Sequence, residues 1–448
     1  MSEAQGRTSS DSEAGHEHGS CALSGCGEIA GTMAASGEAV DAVYRGRTRD
    51  RIERTPEMSP ETLDRFLEAR GRERRALLRR GGALGMLTAA GSLFSAVARA
   101  SPSRGASLGT WLEGQGGGGG GGKVHVVESN TNNVHLGVFD STLPDILQVE
   151  SGDTIVYPDT WSHFLNKMQP GVPIDELAKM RLANPGKGPH SIIGPVGVKG
   201  AEPGDLLEIQ FLKLVPVGWA ANFNNPGSLG TGALADQFPD GQVKYFRLDL
   251  GKMTTQFNPD IQLSLAPFQG TFGIAPPDGF FGSTTGVVSS VPPGPHGGNI
   301  DLREMGQGSR LYIPVWKPGA KIFTGDSHAL QGDGEVNLTA LETAMKEVRV
   351  RVLLHKQVGW TWPFVETETH WIALGMDKDL NVAQRIALIN AIDFLSKRAG
   401  LSRLDAYALC SLAVSFRVTQ VVDVNKGIHA MIPKSIFAPA ATKRISIA

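Results

Sequence analysis

Hydrophobic residues occupy every second position over residues 348–354, the pattern of a β-strand with one buried face. Other segments with β character recur between turn signals at 124–127, 146–149, 154–157, 206–212 and 311–315. Many short strands without helices between them favour a sandwich or barrel over a parallel α/β sheet. In the alternating segment, Val348, Val350, Val352 and Leu354 share one face, and Arg349, Arg351 and Leu353 share the other.

Apolar residues change to helical spacing near the carboxyl end, where Asn381 and Gln384 are placed as a capping pair. We expect this helix to end near Gly400, and Ser402 with Asp405 forms a capping box that opens a second helix. The fold predicted from these patterns is mainly β, with β-sandwich-like lobes and a C-terminal helical hairpin (α+β). The apolar positions of the first helix are Val382, Ile386, Ile389, Ile392 and Leu395.

The composition and charge of the chain limit the classes of partner that it can bind. The chain has 56 glycines and 26 prolines, which is typical of a protein rich in turns and loops. Its net charge is -2 and its pI is near 6.6, so it lacks the positive field that generic binding to nucleic acid or anionic membranes requires. We therefore expect no nucleic-acid partner, and no stable membrane partner once the N-terminal signal described below is cleaved.

Residues 1–100 have the features of an N-terminal extension followed by an export signal. Arg74 and Arg75 precede an uncharged, mildly apolar stretch and the small-residue sequence at Ala98–Ala100, which resembles a twin-arginine signal peptide cleaved after Ala100. This predicts a periplasmic or exported protein, or a cytoplasmic one if the signal is not used. The alternatives are a membrane anchor or an internal helix, but the apolar run is shorter than the roughly 20 residues that a spanning helix needs.

A Gly-rich linker is predicted over residues 101–122, and the catalytic domain over residues 123–448. Gly114, Gly116 and Gly119 satisfy a GxGxxG pattern, but no strand precedes them, which excludes a dinucleotide fingerprint. Cys21 and Cys26 lie in the part that signal cleavage would remove, so the mature chain would retain only Cys410.

Familiar nucleophile motifs are missing from the predicted catalytic domain. The predicted catalytic domain, residues 123–448, contains no GxSxG elbow, and the sequence has no HExxH pair and no glycine- and serine-rich tract of the kind typical of serine amidases. Cys410 lies in an apolar helical segment, where core packing is the expected role of a thiol. Neither serine nor cysteine chemistry is therefore indicated.

Potential metal ligands are concentrated in the segments 296–301 (HGGNID) and 325–335 (GDSHALQGDGE). Within them, three pairs of polar residues are separated by two positions, and each pair would project to one side of an extended backbone. The pairs are Asn299 and Asp301, Asp326 and His328, and Asp333 and Glu335. A mixed set of imidazole, carboxylate and amide ligands suits a divalent cation such as zinc, which activates water for attack on a carbonyl. The alternatives are ordinary loop hydrogen bonds and a purely structural calcium ion.

Two other groups of titratable residues are weaker candidates for a functional site. Glu366, Glu368 and His370 would share one face of a strand at the mouth of an aromatic-lined pocket, with an ordinary charged strand face as the alternative. His135 and Asp140 form the third candidate group.

The two ligand-rich segments, together with 200–205 (GAEPGD), 405–411 (DAYALCS) and 433–437 (PKSIF), resemble the signature stretches of the acetamidase/formamidase family. They occur in the same order, and the resemblance covers residues 124–437. It implies hydrolysis of a small amide such as formamide or acetamide to ammonia and a carboxylate, on a β-sandwich-rich fold that forms homo-oligomers. The alternative is a noncatalytic exported binding protein for a small polar amide or metabolite on the same fold.

The resemblance also suggests roles for individual residues. Glu335 or Asp326 would be the general base, and His296 or His370 would protonate the departing ammonia. This chain differs from the family pattern at Ser415 and in the length of the loop 164–188, which affects expectations about the pocket and substrate. The implied metal ligands are a subset of Asn299, Asp301, Asp326, His328 and Glu335.

Overall fold

The computed structural model describes residues 122–226, 229 and 231–448. The predicted signal peptide and nearly all of the predicted linker lie outside these residues. Within the described part, no helix has the length and apolar character required to cross a membrane.

Two large β-sheets dominate the fold. The first has nine strands in the order β1-β5-β18-β7-β15-β19-β20-β22-β21. The second has eleven strands, of which eight follow the order β11-β10-β9-β8-β17-β16-β12-β14. The other three join this sheet through β6, which pairs with β16 and also with β2 and β4. Strands β3 and β13 form a separate pair. The first half of the strands are β1 Val124–Val126, β2 Val134–Leu136, β3 Val138–Asp140, β4 Leu147–Val149, β5 Thr154–Pro158, β6 Ser191–Val198, β7 Leu206–Pro216, β8 Trp219–Asn224, β9 Gln242–Asp249, β10 Thr254–Asn258 and β11 Ile261–Ser264.

The remaining strands are β12 Phe268–Gly273, β13 Val287–Ser289, β14 Gly297–Asn299, β15 Arg310–Pro314, β16 Ile322–His328, β17 Glu342–Thr343, β18 Met345–His355, β19 Phe364–Glu366, β20 His370–Asp377, β21 Ser415–Val418 and β22 Lys426–Pro433. The helices are α1 His163–Asn166, α2 Ile174–Leu182, α3 Leu380–Ala399, α4 Arg403–Ala413 and α5 Pro439–Thr442, with 3-10 turns at Phe280–Gly282 and Lys434–Ile436.

The main core lies between the two sheets. Val348, Val350 and Val352 on β18 are fully buried, and they belong to one apolar cluster with Phe272 and Ile322 of the second sheet. Each such side chain contributes about 1.5–3 kcal/mol when it is removed from water. The predicted alternation of residues 348–354 and the predicted mainly β fold are therefore confirmed.

A helical hairpin covers one end of the nine-stranded sheet, as predicted. Helix α3 ends at Gly400 in the left-handed conformation, and Ser402 caps α4 by accepting a hydrogen bond from the Asp405 amide. The cap of α3 differs from the prediction, since the Asp379 side chain accepts from the Asn381 amide. Gly375 on β20 lets α3 lie against the sheet, because a Cβ there would be 2.2 Å from the Ala383 carbonyl oxygen.

Candidate active site

Strand β16 carries Asp326 and His328 into a buried group of acids and histidines. It pairs with β12 on one side and with β17 on the other, where Glu342 is the direct register partner of His328. The chain after β14 brings in Asp301, whose amide donates to the Gly270 carbonyl oxygen (3.1 Å). Overlapping triads of these side chains place ligand atoms within 4.8 Å of one another. Their members, called here the metal-ligand cluster, are His163, His190, Asp301, Asp326, His328, Glu335, Glu342 and Asp423.

The donor atoms in the middle of the cluster are spaced as ligands of one cation would be. His328 Nε2 lies 3.3 Å from Asp326 Oδ1 and 3.1 Å from Glu342 Oε2. His163 Nε2 lies 3.2 Å and 3.7 Å from the same two oxygens. Tetrahedral zinc with bonds of about 2.0–2.1 Å separates its ligand atoms by about 3.3 Å. The observed separations therefore suit a small divalent cation.

Several buried donor atoms of the cluster have no hydrogen-bond partner among the described residues. They include both ring nitrogens of His328 and one carboxylate oxygen each of Asp301, Glu335, Glu342 and Asp423. A buried polar atom without a partner costs about 1–3 kcal/mol, and a charged one costs more, so native proteins rarely leave many together. The residues present consequently fit a bound cation, which would occupy these atoms as ligands.

The backbone of the acidic residues is held in an uncommon conformation. Asp301, Asp326 and Glu335 have φ angles of 51°, 53° and 47°, in the left-handed region. Such residues cost of order 1–3 kcal/mol each and concentrate at functional sites. Their φ values also explain why spacing along the sequence was an imperfect guide to side-chain direction.

Gly270 on β12 forms one wall of the site. A Cβ built on it would lie 2.5 Å from Asp301 Oδ1, 2.7 Å from His328 Cε1 and 2.9 Å from Asp326 Oδ2. No side chain larger than hydrogen can occupy this position while these atoms stay in place, because real Cβ contacts are longer. The strand therefore approaches the ligand atoms through its backbone.

One end of the metal-ligand cluster is formed by carboxyl groups alone. The pKa is raised in all three of them, namely Asp301, Glu335 and Asp423. Burial raises the pKa of Asp301 well above its usual range, with further increases from Asp423 and Asp326. Burial likewise raises the pKa of Glu335, and the nearby Asp301 and Asp423 add to it. The pKa of Asp423 rises to about 8, chiefly through burial. Bringing these carboxyl groups together is costly unless positive charge compensates them.

At the opposite end of the metal-ligand cluster, histidine side chains surround Asp326. Burial opposes ionisation of Asp326, but the adjacent His328, His190 and His163 together hold its pKa well below the usual range. Burial lowers the pKa of His190 to about 3, which leaves a neutral imidazole. Neutral imidazole is the form that binds metals.

Four of the residues predicted as metal ligands meet in the cluster, namely Asp301, Asp326, His328 and Glu335. Asn299 lies outside the cluster and is linked to it by Thr271. The Thr271 hydroxyl donates to Asn299 Oδ1 and lies 3.3 Å from Asp326 Oδ2. Asp333 was expected to project beside Glu335, and it does not. Its carboxylate pairs instead with Arg417, whose Nε donates to Asp333 Oδ2 (2.6 Å).

The two predicted proton donors occupy different surroundings. His296 is fully buried with its ring edge-to-face against Phe139 and Phe280, and burial lowers its pKa to about 3. His370 begins β20, and burial followed by the positive charges of Arg417 and Lys434 lowers its pKa. Neither residue belongs to the metal-ligand cluster.

The expectation that Glu366, Glu368 and His370 share one strand is wrong. Glu366 ends β19 and pairs with Trp371 of β20, so the segment folds into a hairpin whose turn contains residue 368. Glu366 accepts hydrogen bonds from Tyr312 (2.9 Å) and Lys434 (2.6 Å). In the third constellation, His135 lies in β2 and Asp140 in β3, where Asp140 accepts from the Thr142 amide.

Sequence reasoning missed His163, His190, Glu342 and Asp423. The first two lie at the ends of the segment 164–189, which contains α2 and packs Phe164, Met168 and Leu177 against Phe223. Glu342 belongs to a strand of two residues, and Asp423 to the loop between β21 and β22. No local pattern marks any of them, because their proximity arises from long-range pairing.

The profile of the Acetamidase/Formamidase family matches residues 127–286 and 282–439 of this chain. The chain belongs to the acetamidase/formamidase family. This confirms the resemblance found in the signature segments, and with it the enzyme class, an amidohydrolase acting on linear amide C–N bonds.

Curated relatives are similar to the chain over much of its folded part. An acetamidase of Mycolicibacterium smegmatis is 26% identical over 281 residues, which cover 46% of this chain and 69% of the relative. A formamidase of Methylophilus methylotrophus is 26% identical over 314 residues, covering 55% and 77% of the two chains.

Solved structures agree with the fold. The crystal structure of an acetamidase from Bacillus halodurans superposes with a TM-score of 0.61 at 28% identity, covering 70% of this chain and 98% of that one. An acetamidase from Yersinia enterocolitica gives a TM-score of 0.64 at 27% identity, with 74% and 100% coverage.

Proposed function

We propose that the protein hydrolyses a small aliphatic amide of the formamide or acetamide type with a divalent cation, zinc being the best candidate. The observation that carries the proposal is the set of buried ligand atoms without hydrogen-bond partners in the described residues, centred on His328. The acetamidases and formamidases to which the chain is similar support the choice of substrate.

Asp301, Asp326, His328 and Glu342 would hold the cation, with Asn299 supporting Asp326 through Thr271. When bound, a divalent cation supplies Lewis-acid polarisation of a carbonyl and lowers the pKa of water at the site. The imidazole and carboxylate ligands favour zinc, whereas a site of oxygen ligands alone would favour calcium.

Glu335 is the proposed general base. One of its carboxylate oxygens is buried without a hydrogen-bond partner in the described part of the chain, whereas Asp326 is already contacted by His163, His328 and Thr271. Glu335 would take a proton from water as the water oxygen bonds to the amide carbon, and would return it to nitrogen as the C–N bond breaks. Ammonia and the carboxylic acid are the products.

This assignment replaces His296 and His370 as proton donors. The His296 imidazole is enclosed by Phe139 and Phe280 and has no charged partner among the described residues, so it is poorly placed to carry a proton to the cluster. A single carboxyl group acting first as base and then as acid needs no second group in the right position.

The test compares wild type with Asp326→Asn and His328→Ala in ammonia release from a panel of short amides. Both variants should lose turnover while keeping the circular dichroism spectrum of the wild type. Full activity in both would remove this cluster from the mechanism. Stoichiometric binding of an amide without ammonia release by the wild type would favour the noncatalytic binding protein instead.

We also propose that the chain is exported through its twin-arginine-like segment. Replacing Arg74 and Arg75 with lysine should retain the protein in the cytoplasm of a bacterial host, whereas the unaltered chain should reach the periplasm. Equal distribution of the two proteins after fractionation would exclude this route.

Assembly into a homo-oligomer is a further part of the proposal, drawn from the family resemblance. Light scattering on the purified, uncleaved chain should give a mass of at least twice 47.6 kDa. A monomer at micromolar concentration would contradict it.

A further inference from the structure

A further group of possible ligands lies outside the metal-ligand cluster. Its members are Glu304, Asp333 and His429, and each offers one ligand atom within 4.8 Å of those of the other two. They come from three separate parts of the chain, since Glu304 follows β14, Asp333 follows β16 and His429 lies in β22. None of them belongs to the metal-ligand cluster, and they are called here the outer triad.

Two atoms of the outer triad are buried without a hydrogen-bond partner among the described residues. They are His429 Nε2 and Glu304 Oε2, which lie 3.9 Å apart. This distance is too long for a hydrogen bond, but one cation can bind both atoms, because two ligand atoms at about 2.1 Å from an ion can be up to about 4.2 Å apart. Buried polar atoms in native proteins nearly always have a partner, so these two atoms indicate a ligand.

His355 and Glu208 show the ordinary way in which a histidine and a buried carboxylate satisfy each other. His355 Nε2 lies 2.7 Å from Glu208 Oε2, within hydrogen-bond distance. His429 and Glu304 do not close to this distance, although the His429 side chain is fully buried. Their separation therefore has to be explained by the contacts that hold each side chain in place.

Each member of the outer triad is held through one of its polar atoms. His429 Nδ1 lies 2.9 Å from Thr419 Oγ1, a contact that fixes the ring. Arg417 donates to Glu304 Oε1 (2.9 Å) and to Asp333 Oδ2 (2.6 Å). Contacts of this kind orient the ligands of metal sites, and here they leave His429 Nε2 and Glu304 Oε2 directed toward each other.

The protonation states of the outer triad also suit a cation. Burial, followed by the positive charge of Arg417, lowers the pKa of His429 to about 3, so its imidazole is neutral at physiological pH, the form that binds metals. Burial raises the pKa of Glu304, and a cation beside its carboxylate would oppose this increase. Because Arg417 offsets part of the carboxylate charge and Arg303 lies 3.9 Å from Asp333, we expect weaker binding than in the metal-ligand cluster.

We propose that Glu304, Asp333 and His429 form a zinc site that is separate from the metal-ligand cluster. One imidazole and two carboxylates supply three ligands, and water completes the coordination on the side where Asp333 is exposed. The ion ties the loop that presents Glu335 to β22 and to the turn after β14. This inference goes beyond the proposed function, since it predicts zinc binding whether or not the chain hydrolyses amides.

The test is zinc binding to metal-depleted full-length chain, measured by equilibrium dialysis with elemental analysis. His429→Gln and Asp333→Ala should each bind one zinc ion fewer than wild type, and zinc bound elsewhere cancels in this difference. His355→Gln is the matched control, because it removes a histidine whose carboxylate contact is already closed, and it should bind as many ions as wild type. Circular dichroism and urea unfolding verify that the variants fold.

The rate of zinc removal by a colorimetric chelator separates the two sites. Every residue of the metal-ligand cluster is buried, whereas Asp333 is exposed, so zinc in the outer triad should leave in a faster phase. This phase should be absent from His429→Gln and present in the double variant Asp326→Asn/His328→Ala. Thr419→Val removes the contact to His429 Nδ1 and keeps the ligands, so it should weaken this zinc by about 10–100-fold.

Equal zinc content in wild type, His429→Gln and Asp333→Ala would overturn the inference and leave metal-assisted hydrolysis intact. Loss of the fast phase from Asp326→Asn/His328→Ala as well would also overturn it, by assigning the outer triad to the central site. One ion fewer in His429→Gln, combined with amide hydrolysis that a chelator does not affect, would support the outer triad and refute the metal part of the proposed function.

Discussion

His328 and Glu342 face each other directly across strands β16 and β17, with His328 Nε2 3.1 Å from Glu342 Oε2. Despite this distance, neither atom has a hydrogen-bond partner among the described residues. A divalent cation bound by both side chains would account for this close approach.

Glu342→Gln should therefore weaken metal binding, because the amide keeps the shape of the side chain and removes its charge. We expect the zinc dissociation constant to rise by at least about tenfold, with ammonia release falling at limiting zinc. Glu347→Gln is the control, since Glu347 pairs with Lys213 away from the cluster. Equal zinc affinity in wild type and Glu342→Gln would show that Glu342 is no ligand.

Gly270→Ala tests the close approach of β12 to the site. Its Cβ would lie within 3 Å of Asp301, His328 and Asp326 atoms, so the variant should lose at least about 100-fold in activity by displacing them. Gly218→Ala is the control, because a Cβ on Gly218 meets nothing within 4 Å. Comparable activity in the two variants would contradict the position of this strand.

We expect Arg417 to act as a positioning residue for Glu335. It donates to Asp333 Oδ2 (2.6 Å) and Glu304 Oε1 (2.9 Å), while the Gly334 amide donates to the Thr419 carbonyl oxygen (3.0 Å). These contacts hold the loop that presents Glu335, so Arg417→Gln should lower kcat by about 10–100-fold.

The effect on KM should be smaller, and Arg417→Lys should recover part of kcat because it restores a positive charge. Arg403→Gln, which breaks a contact to Asp393 in the helical hairpin, is the control. A purely structural role would instead lower the free energy of unfolding of Arg417→Gln and leave the kcat of the folded enzyme unchanged.

Asp205 stabilises the fold in a pH-dependent manner. Burial opposes its ionisation, but hydrogen bonds from Lys356 and from the Glu202 and Gln357 amides outweigh burial and lower its pKa. Because the pKa is lower in the folded state, this stabilisation is present above the unfolded value of about 3.9 and is lost as the pH falls through the folded value.

Asp205→Asn should accordingly reduce the free energy of unfolding by about 1–3 kcal/mol at pH 7, as measured with urea. The difference from wild type should narrow below about pH 4. Asp236→Asn, at an exposed position, should change little at either pH. A deficit for Asp205→Asn that is the same at pH 7 and pH 3 would assign the effect to packing.

Local patterns predicted the fold well. The alternation around Val350 and the capping box at Ser402 each depend on a few neighbouring residues, and both elements formed as expected. The prediction was wrong where the backbone changes direction. Glu368 lies in a turn, and Asp333 and Glu335 diverge because Gly334 and Glu335 have φ angles of 98° and 47°.

The sequence indicated half of the residues of the candidate site. Asp326 and His328 share one strand, so their spacing and the glycines around them were informative. His163 and Glu342 reach the same site from distant parts of the chain through sheet pairing and a left-handed turn, which no local spacing encodes. Such ligands become apparent only in three dimensions.

Metal-assisted amide hydrolysis is tested by ammonia release from formamide and acetamide by the full-length chain, with metal content determined on the same sample. We expect release that stops when a chelator removes the metal and returns when zinc is restored. Undiminished release from chain shown to be metal-free would contradict it.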